Sequence, residues 1–318
     1  MIKAAILGAD SPDGGELIRL LAMHPDVDIV ALQAPGLEGK PVVSRHHGLI
    51  GETSAAFTAS VDYSRCDVIF VCPGAISCAD FMRLRVERPD LKVISLDEIP
   101  GVDKERAGIV YGLPEINRKL LVRGASAAVL PMPLASMALV ALFPLAKHLL
   151  LSGDIKIEAD VPKSILDAVD RAALVEEVEK QLREVQQSFA GKVTFDLKVA
   201  QSRRSVLMHI DCACPVNLEQ LLALYDIYDD HRFSFVTTYP VGVSEVAGTN
   251  KCVVSVSKPS PERALLGVAA DCRLRGASGE AVHVMNLMFG LHEKTGLALK
   301  AIDFNPVDTN PIPDAEMN

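Results

Sequence analysis

The chain has 318 residues, 49% of them hydrophobic, which is long enough for two domains with sizeable cores. Its formal net charge of -9 argues against a broad nucleic-acid footprint, because phosphate binding needs clustered cations in excess. Seven cysteines without paired spacing predict reduced thiols in a cytoplasmic protein rather than a disulfide framework. The start, MIKAAILGAD, is apolar over too short a distance for a signal peptide, because Asp10 interrupts it.

The first recognisable pattern is a short apolar run, IKAAIL, followed by a glycine turn and a helical pattern. In this order of elements, a dinucleotide pyrophosphate rests on backbone amides at a helix N-terminus. Gly8, Ser11 and Gly14 occupy the three positions of G-x-x-G-x-x-G, so serine replaces the middle glycine. Asp10 and Asp13 add negative charge that opposes a negative ligand. Two interpretations stay open: a nucleotide site, or a turn that keeps its shape without the ligand.

Short buried strands alternate with helices through the first half of the chain. Strands are predicted at Asp28–Gln33, Val68–Val71 and Val93–Leu96, and a helix at 76–86. This alternation predicts an α/β fold with a doubly wound parallel sheet. Pro73, in the turn after the second of these strands, is a further candidate contact for the nucleotide.

In dinucleotide-binding folds, the end of the second strand of the sheet normally reveals which dinucleotide is bound, and here that strand ends at Gln33. An acid there holds the ribose of NAD, and a cation there accommodates the extra phosphate of NADP. Gln33 supplies neither charge, so Lys40 and Arg45 in the following loop are the candidate phosphate contacts, with solvated loop cations as the alternative.

The longest apolar tract, Ala127–Leu145, lies near the middle of the chain. It is nearly long enough to span a membrane, but Pro131, Pro133 and Pro144 interrupt it. We therefore predict a buried turn that leads into a core helix, at the junction between two halves of the protein, and no membrane span.

The second half predicts an α+β domain. Apolar residues recur every three or four positions from Ile165 to Phe189, which is typical of one amphipathic helix with a solvated charged face. The other predicted elements are strands at 192–199, 205–214, 233–238 and 252–256 and helices at 218–228 and 281–289. His209 alternates away from Cys212 and Cys214, and no acid or thiol stands at ligand spacing beside His46 and His47, so no metal site is predicted.

Three segments are expected from these patterns. Residues 1–148 together with 275–302 form the dinucleotide-binding-like domain, and residues 149–274 form the second domain. Residues 303–318, rich in proline and polar side chains, are expected to be an extended tail.

Several stretches together resemble N-acetyl-gamma-glutamyl-phosphate reductase, a relative of aspartate-semialdehyde dehydrogenase. They are GADSPDGGELIRLL, YGLPEINR, LPMPLASMALVALFPL and RGASGEAVHVMNLMFGLHEKTGL. The resemblance implies a Rossmann-type domain and a second α+β domain that mediates homodimer or homotetramer formation. It also implies NADP-dependent reductive dephosphorylation of an acyl phosphate to an aldehyde.

The same resemblance implies a cysteine nucleophile in an Asn-Pro-Gly-Cys turn. That pattern falls on residues 130–133, where Pro133 occupies the cysteine position and has no nucleophilic atom. The histidine motif of the family, His-x-His-x-x-Glu-Ile, falls on AALVEEV at 172–178, which contains no histidine. Cys72 is the one replacement nucleophile that the sequence suggests.

Other positions that the resemblance implies are altered less. Arg204 stands where the family holds an anionic substrate, and Arg275 keeps the positive charge of the Asn-x-x-Lys-Gly loop. Gly276 and Gly279 are expected to allow close packing of the following helix, near the cofactor.

Two functions follow from these positions. The first is a catalytically impaired paralogue that keeps the fold and assembly surface, as a homo-oligomer or with a protein partner. The second is an active NAD(P)-dependent oxidoreductase with a different nucleophile or reaction.

Overall fold

The computed structural model describes residues 1–301. The tail predicted for 303–318, and residue 302 of the predicted first domain, lie outside the described residues. Two six-stranded sheets organise the described part of the chain.

The first sheet is entirely parallel, with strand order β2-β1-β3-β4-β6-β5. Its strands are β1 (Ile2–Leu7), β2 (Val27–Gln33), β3 (Val68–Val71), β4 (Lys92–Ser95), β5 (Val110–Tyr111) and β6 (Ala127–Val129). The helices associated with it are α1 (Pro12–Leu21), α2 (Cys78–Glu87), α3 (Pro114–Val122) and α8 (Ser278–Met288).

Alternate residues of these strands pack on opposite faces of the sheet. Ile6 belongs to a cluster with α1 and α8, whereas Leu7 belongs to a cluster with Phe81 of α2. Helices therefore cover both faces, and the predicted doubly wound α/β fold is confirmed. Because β2 and β3 flank β1 on opposite sides, the strand order reverses there, and a crevice opens at the carboxyl ends of β1 and β3.

The second sheet mixes parallel and antiparallel pairs, with strand order β10-β11-β12-β9-β7-β8. Its strands are β7 (Ile155–Val161), β8 (Val193–Val199), β9 (Ser205–Ala213), β10 (Ser234–Thr237), β11 (Cys252–Ser260) and β12 (Arg263–Asp271). One face packs against α4 (Pro133–Lys147), α6 (Arg171–Val185) and α7 (Leu218–Ala223). This arrangement confirms the predicted α+β domain.

The apolar tract forms β6, the turn and α4, as predicted. No helix within residues 1–301 is long and apolar enough to cross a membrane. Pro144, in the last turn of α4, has no N–H to donate to the carbonyl of Val140. The hydroxyl of Tyr228 donates to that carbonyl instead, at 2.7 Å, which ties the helix to the second domain.

The amphipathic segment differs from the single helix predicted for it. It consists of α5 (Lys163–Leu166) and α6, because the carboxylate of Asp170 caps the N-terminus of α6 by accepting from Ala172 N and Ala173 N. The predicted helix at 218–228 is α7 followed by a 3-10 turn at Leu224–Tyr228.

The predicted domain boundaries stay predictions. Helix α8 packs against α1 and the first sheet, whereas α4, predicted to belong to the first domain, is buried in the core of the second sheet.

Candidate active site

The turn after β1 has the backbone that the glycine pattern predicts. Gly8 adopts a left-handed φ of 75°, and Ser11 caps α1 by accepting from Gly14 N at 3.0 Å. A Cβ on Gly14 would lie 2.6 Å from Gly8 O, so only glycine allows this approach of helix and turn. Ser11, in place of the middle glycine, therefore stabilises the start of the helix.

The negative charge of Asp13 at this turn is partly balanced. Burial raises the pKa of the Asp13 carboxyl, and the guanidinium of Arg273, 3.5 Å away, opposes that rise. Ser278 Oγ, at the start of α8, donates to Asp13 O at 2.9 Å. Arg45 Nε donates to Asp10 O at 3.0 Å, which places one of the two predicted loop cations at the turn.

A cavity of about 450 Å³ opens beside the crevice, at the carboxyl ends of the first strands. Gln33, Gly74, Ser77 and Arg83 line it. Pro73, the predicted contact, is exposed in the same turn as Gly74. The sequence patterns do not assign Ser77 and Arg83 to this site. A Ser-x-x-Asp capping pattern at residues 77–80 does mark the start of α2.

Cys72 lies beneath the glycine turn and is 1% exposed. A Cβ on Gly8 would be 3.0 Å from Cys72 Cβ, so the two turns of the crevice pack directly on each other. Burial raises the pKa of the Cys72 thiol to about 12. The thiolate needed for attack on a carbonyl is therefore strongly disfavoured in this position.

Pro133 is the first residue of α4, where proline is favoured because the N–H there has no partner within the helix. Its side chain is partly exposed. Gly276, with a φ of 68°, packs on it so closely that a Cβ would lie 2.5 Å from Pro133 Cα. The structure thus brings together the predicted nucleophile position and the predicted cofactor loop.

Glu177 is not part of a solvated face, contrary to the sequence prediction. The hydroxyl of Tyr111 donates to Glu177 Oε1 at 2.9 Å, and Met132 N donates to Glu177 Oε2 at 3.3 Å. Burial raises the pKa of Glu177 to about 7, although both donors oppose the rise. A sequence signal for it existed, because Glu177 occupies the glutamate position of the His-x-His-x-x-Glu-Ile motif.

Arg275 is fully buried in an ion cluster behind Pro133. Its Nη2 donates to Glu115 Oε2 at 2.7 Å, and its Nε lies 3.3 Å from Glu280 Oε2. Burial disfavours the charged form of Glu115, but Arg275 outweighs it and lowers the pKa of Glu115 to about 2. Burial raises the pKa of Glu280. With two carboxyl groups around it and no exposure, Arg275 offers no surface to an anionic substrate in this conformation.

Arg204, the other predicted anion contact, also binds two carboxylates. Its Nε donates to Asp271 Oδ2 and its Nη2 to Glu16 Oε1, both at 2.8 Å. The close packing predicted for Gly279 is seen against Asn250, whose Oδ1 would be 2.6 Å from an added Cβ. A substrate role for Arg204 and Arg275 stays a prediction.

Comparisons with known proteins agree with this geometry. Residues 3–123 match the family described as semialdehyde dehydrogenase, NAD binding domain. The N-acetyl-gamma-glutamyl-phosphate reductase of Phocaeicola vulgatus is 34% identical, over 96% of this chain and 100% of that protein. The one of Parabacteroides distasonis is 30% identical over the same shares.

Solved structures share the fold at low sequence identity. Aspartate semialdehyde dehydrogenase II from Vibrio cholerae, complexed with ASA, has a TM-score of 0.66 and 16% identity, covering 91% of this chain and 98% of that chain. Aspartate semialdehyde dehydrogenase with NADP from Candida albicans has a TM-score of 0.65 and 14% identity over the same shares.

The parallel sheet and its crevice thus agree with the semialdehyde dehydrogenase type of NAD-binding domain that residues 3–123 match. The relationship to the reductases over nearly the whole chain is more specific. The chain belongs to the N-acetyl-gamma-glutamyl-phosphate reductase family.

Proposed function

We propose that this protein is a nucleotide-binding member of the family that has lost reductive dephosphorylation through a thioester. The observation that carries the proposal is Pro133 at the first position of α4, where the family pattern has its cysteine. A nicotinamide nucleotide supplies hydride when bound, but the hydride acts on a thioester that only a thiolate can form. Cys72 does not replace that thiolate, because it is buried beneath the glycine turn.

The retained crevice supports nucleotide binding. The tight Gly8 turn, the N-terminus of α1 and the cavity of about 450 Å³ lie at one edge of the sheet, where doubly wound folds bind dinucleotides. Arg83 lines that cavity and Arg45 reaches the turn, and both carry charge that suits a phosphate-bearing ligand. We infer NADP rather than NAD, because Gln33 ends β2 without the acid that holds a free ribose.

We further propose a homodimer or homotetramer in the cytoplasm, with a different protein partner as the alternative. The face of the second sheet away from α4 leaves Phe235 40% and Leu265 36% exposed, which suits association with another copy. The seven cysteines are free thiols, as expected in a reducing compartment.

Two measurements test the functional proposal. Calorimetry should show NADP binding to the wild type and weaker binding to Arg83→Ala, since that variant removes a cation from the cavity. N-acetyl-gamma-glutamyl phosphate with NADPH should give no reduction, while the Phocaeicola vulgatus relative serves as the positive control. Absence of nucleotide binding would refute the retained site, and reductase turnover comparable with that of the relative would refute the lost reaction.

An active oxidoreductase with a different reaction is the second candidate. The observation that favours it is Glu177, which places a titratable carboxyl beside the nucleophile position.

A further inference from the structure

Three polar groups from separate parts of the chain meet beside Pro133. They are the Tyr111 hydroxyl at the end of β5, the Met132 amide in the turn, and the Glu177 carboxyl on α6. All four residues, including Pro133, are partly exposed. Glu177 is therefore mostly buried, yet it keeps part of its surface open to solvent.

The position of this group limits the chemistry that it can perform. The family pattern implies that a substrate carbonyl sits at the residue that is Pro133 here. A carbonyl held at that point would lie next to Met132, whose amide donates to Glu177, and Pro133 offers it no thiol. An acyl phosphate cannot be reduced without a nucleophile to displace phosphate, but an aldehyde needs only a hydride and a proton.

We propose that Glu177 is the general acid in a direct reduction of an aldehyde to an alcohol by a reduced nicotinamide nucleotide. The proposal rests on the proposed function, because it requires the bound nucleotide. A reduced nicotinamide, when bound, would give up the electron pair of one of its C–H bonds as hydride to form the new C–H bond. The carbonyl π bond would open at the same time, and its oxygen would take the proton of Glu177. The aldehyde is reduced, the nucleotide is oxidised, and the Glu177 carboxylate recovers a proton from water.

The surroundings of Glu177 suit a proton donor near neutral pH. Burial raises its pKa to about 7, so a large fraction carries the proton at the pH where an acid of this strength is most effective. Lys104 lowers the pKa and Glu98 raises it, and these two residues also pair with each other. The pKa of Tyr111 lies well above its usual value because of burial, so Tyr111 keeps its proton and serves as a positioning residue.

The first test compares Glu177→Gln with Glu176→Gln, a matched control that removes the exposed neighbouring carboxyl on α6. The probe is N-acetylglutamate semialdehyde with NADPH, followed from about pH 5 to about pH 9. The wild-type rate should fall as the pH rises through about 7. Glu177→Gln should lower kcat by roughly 100-fold or more and lose this inflection, and Glu176→Gln should stay within about twofold.

A second readout is independent of turnover. In ¹³C NMR of glutamate-labelled protein, one carboxyl should titrate near 7, and its signal should be missing in Glu177→Gln. Tyr111→Phe should move that midpoint upward, because it removes a donor that stabilises the carboxylate.

The outcomes separate this proposal from the proposed function. If calorimetry shows nucleotide binding but the aldehyde is not reduced at any pH, the general-acid proposal is overturned and the proposed function stands. If Glu177→Gln keeps the wild-type rate and inflection, a different group supplies the proton and the proposal is wrong. If no nucleotide binds, both are overturned.

Discussion

Two turns at the carboxyl edge of the first sheet depart from the family pattern in different ways. At the glycine turn, Ser11 replaces a glycine, yet it caps α1 and the tight approach of Gly14 to Gly8 is kept. At the turn before α4, Pro133 fits the backbone as well as any residue can, but it removes the reacting atom.

Backbone geometry and side-chain chemistry are therefore separate requirements of the two turns. The glycine turn binds its ligand through backbone groups, so a side-chain change leaves its shape usable. The α4 turn acts through one side chain, so the same fold can persist without the reaction. Four substitutions probe this contrast, in order of expected effect.

Arg275→Met should have the largest effect, because it leaves Glu115 and Glu280 buried without their cation. We expect a loss of about 3–5 kcal/mol in the free energy of unfolding, measured by urea titration. Arg273→Met is the control, since Arg273 is partly exposed and should cost less than about 1 kcal/mol. Equal losses in the two variants would show that the ion cluster does not support the α4 turn.

Glu177→Gln should change how stability depends on pH. The folded pKa of about 7 lies above the ordinary value of 4.5, so the protonated form favours folding and this contribution is lost as the pH rises from about 4.5 through 7. Between those limits the wild type should lose about 3 kcal/mol relative to Glu177→Gln. Parallel stability curves for the two proteins would contradict the buried environment of this carboxyl.

Gly14→Ala should destabilise the glycine turn by about 2 kcal/mol, because its Cβ would meet the backbone of Gly8 and Ala9. Gly48→Ala is the control, because a Cβ added there would meet no atom within 4 Å and should change the unfolding midpoint little. The midpoint of thermal unfolding should be lower for Gly14→Ala than for the control variant. An unchanged midpoint for Gly14→Ala would show that Gly14 does not approach Gly8 so closely.

Cys72→Ala should have the smallest effect, because Cys72 is a buried thiol with packing as its role. We expect at most about 1 kcal/mol in unfolding by urea, and nucleotide affinity within about twofold of the wild type. If the wild type did reduce the acyl phosphate and Cys72→Ala did not, Cys72 would instead be a nucleophile.

Local patterns in the sequence predict much of the fold. The strand, glycine turn and helix at the start are contiguous, as is the proline turn before α4, so the sequence alone locates both. The family motif marks Glu177, but its burial is not predictable from the sequence, because a charged residue on an amphipathic helix normally faces solvent and its partner Tyr111 is 66 positions away. The pairing of Arg275 with Glu115, separated by 160 positions, depends likewise on tertiary packing.

Loss of the cysteine means that the chain should no longer form a covalent acyl intermediate. The most direct measurement is intact-mass spectrometry after rapid mixing with N-acetyl-gamma-glutamyl phosphate in the absence of reduced nucleotide, with the Phocaeicola vulgatus relative treated in parallel. We expect an unmodified mass for this protein and an acyl adduct for the relative. An adduct on any cysteine of this protein, with Cys72 the first to be mapped, would contradict it.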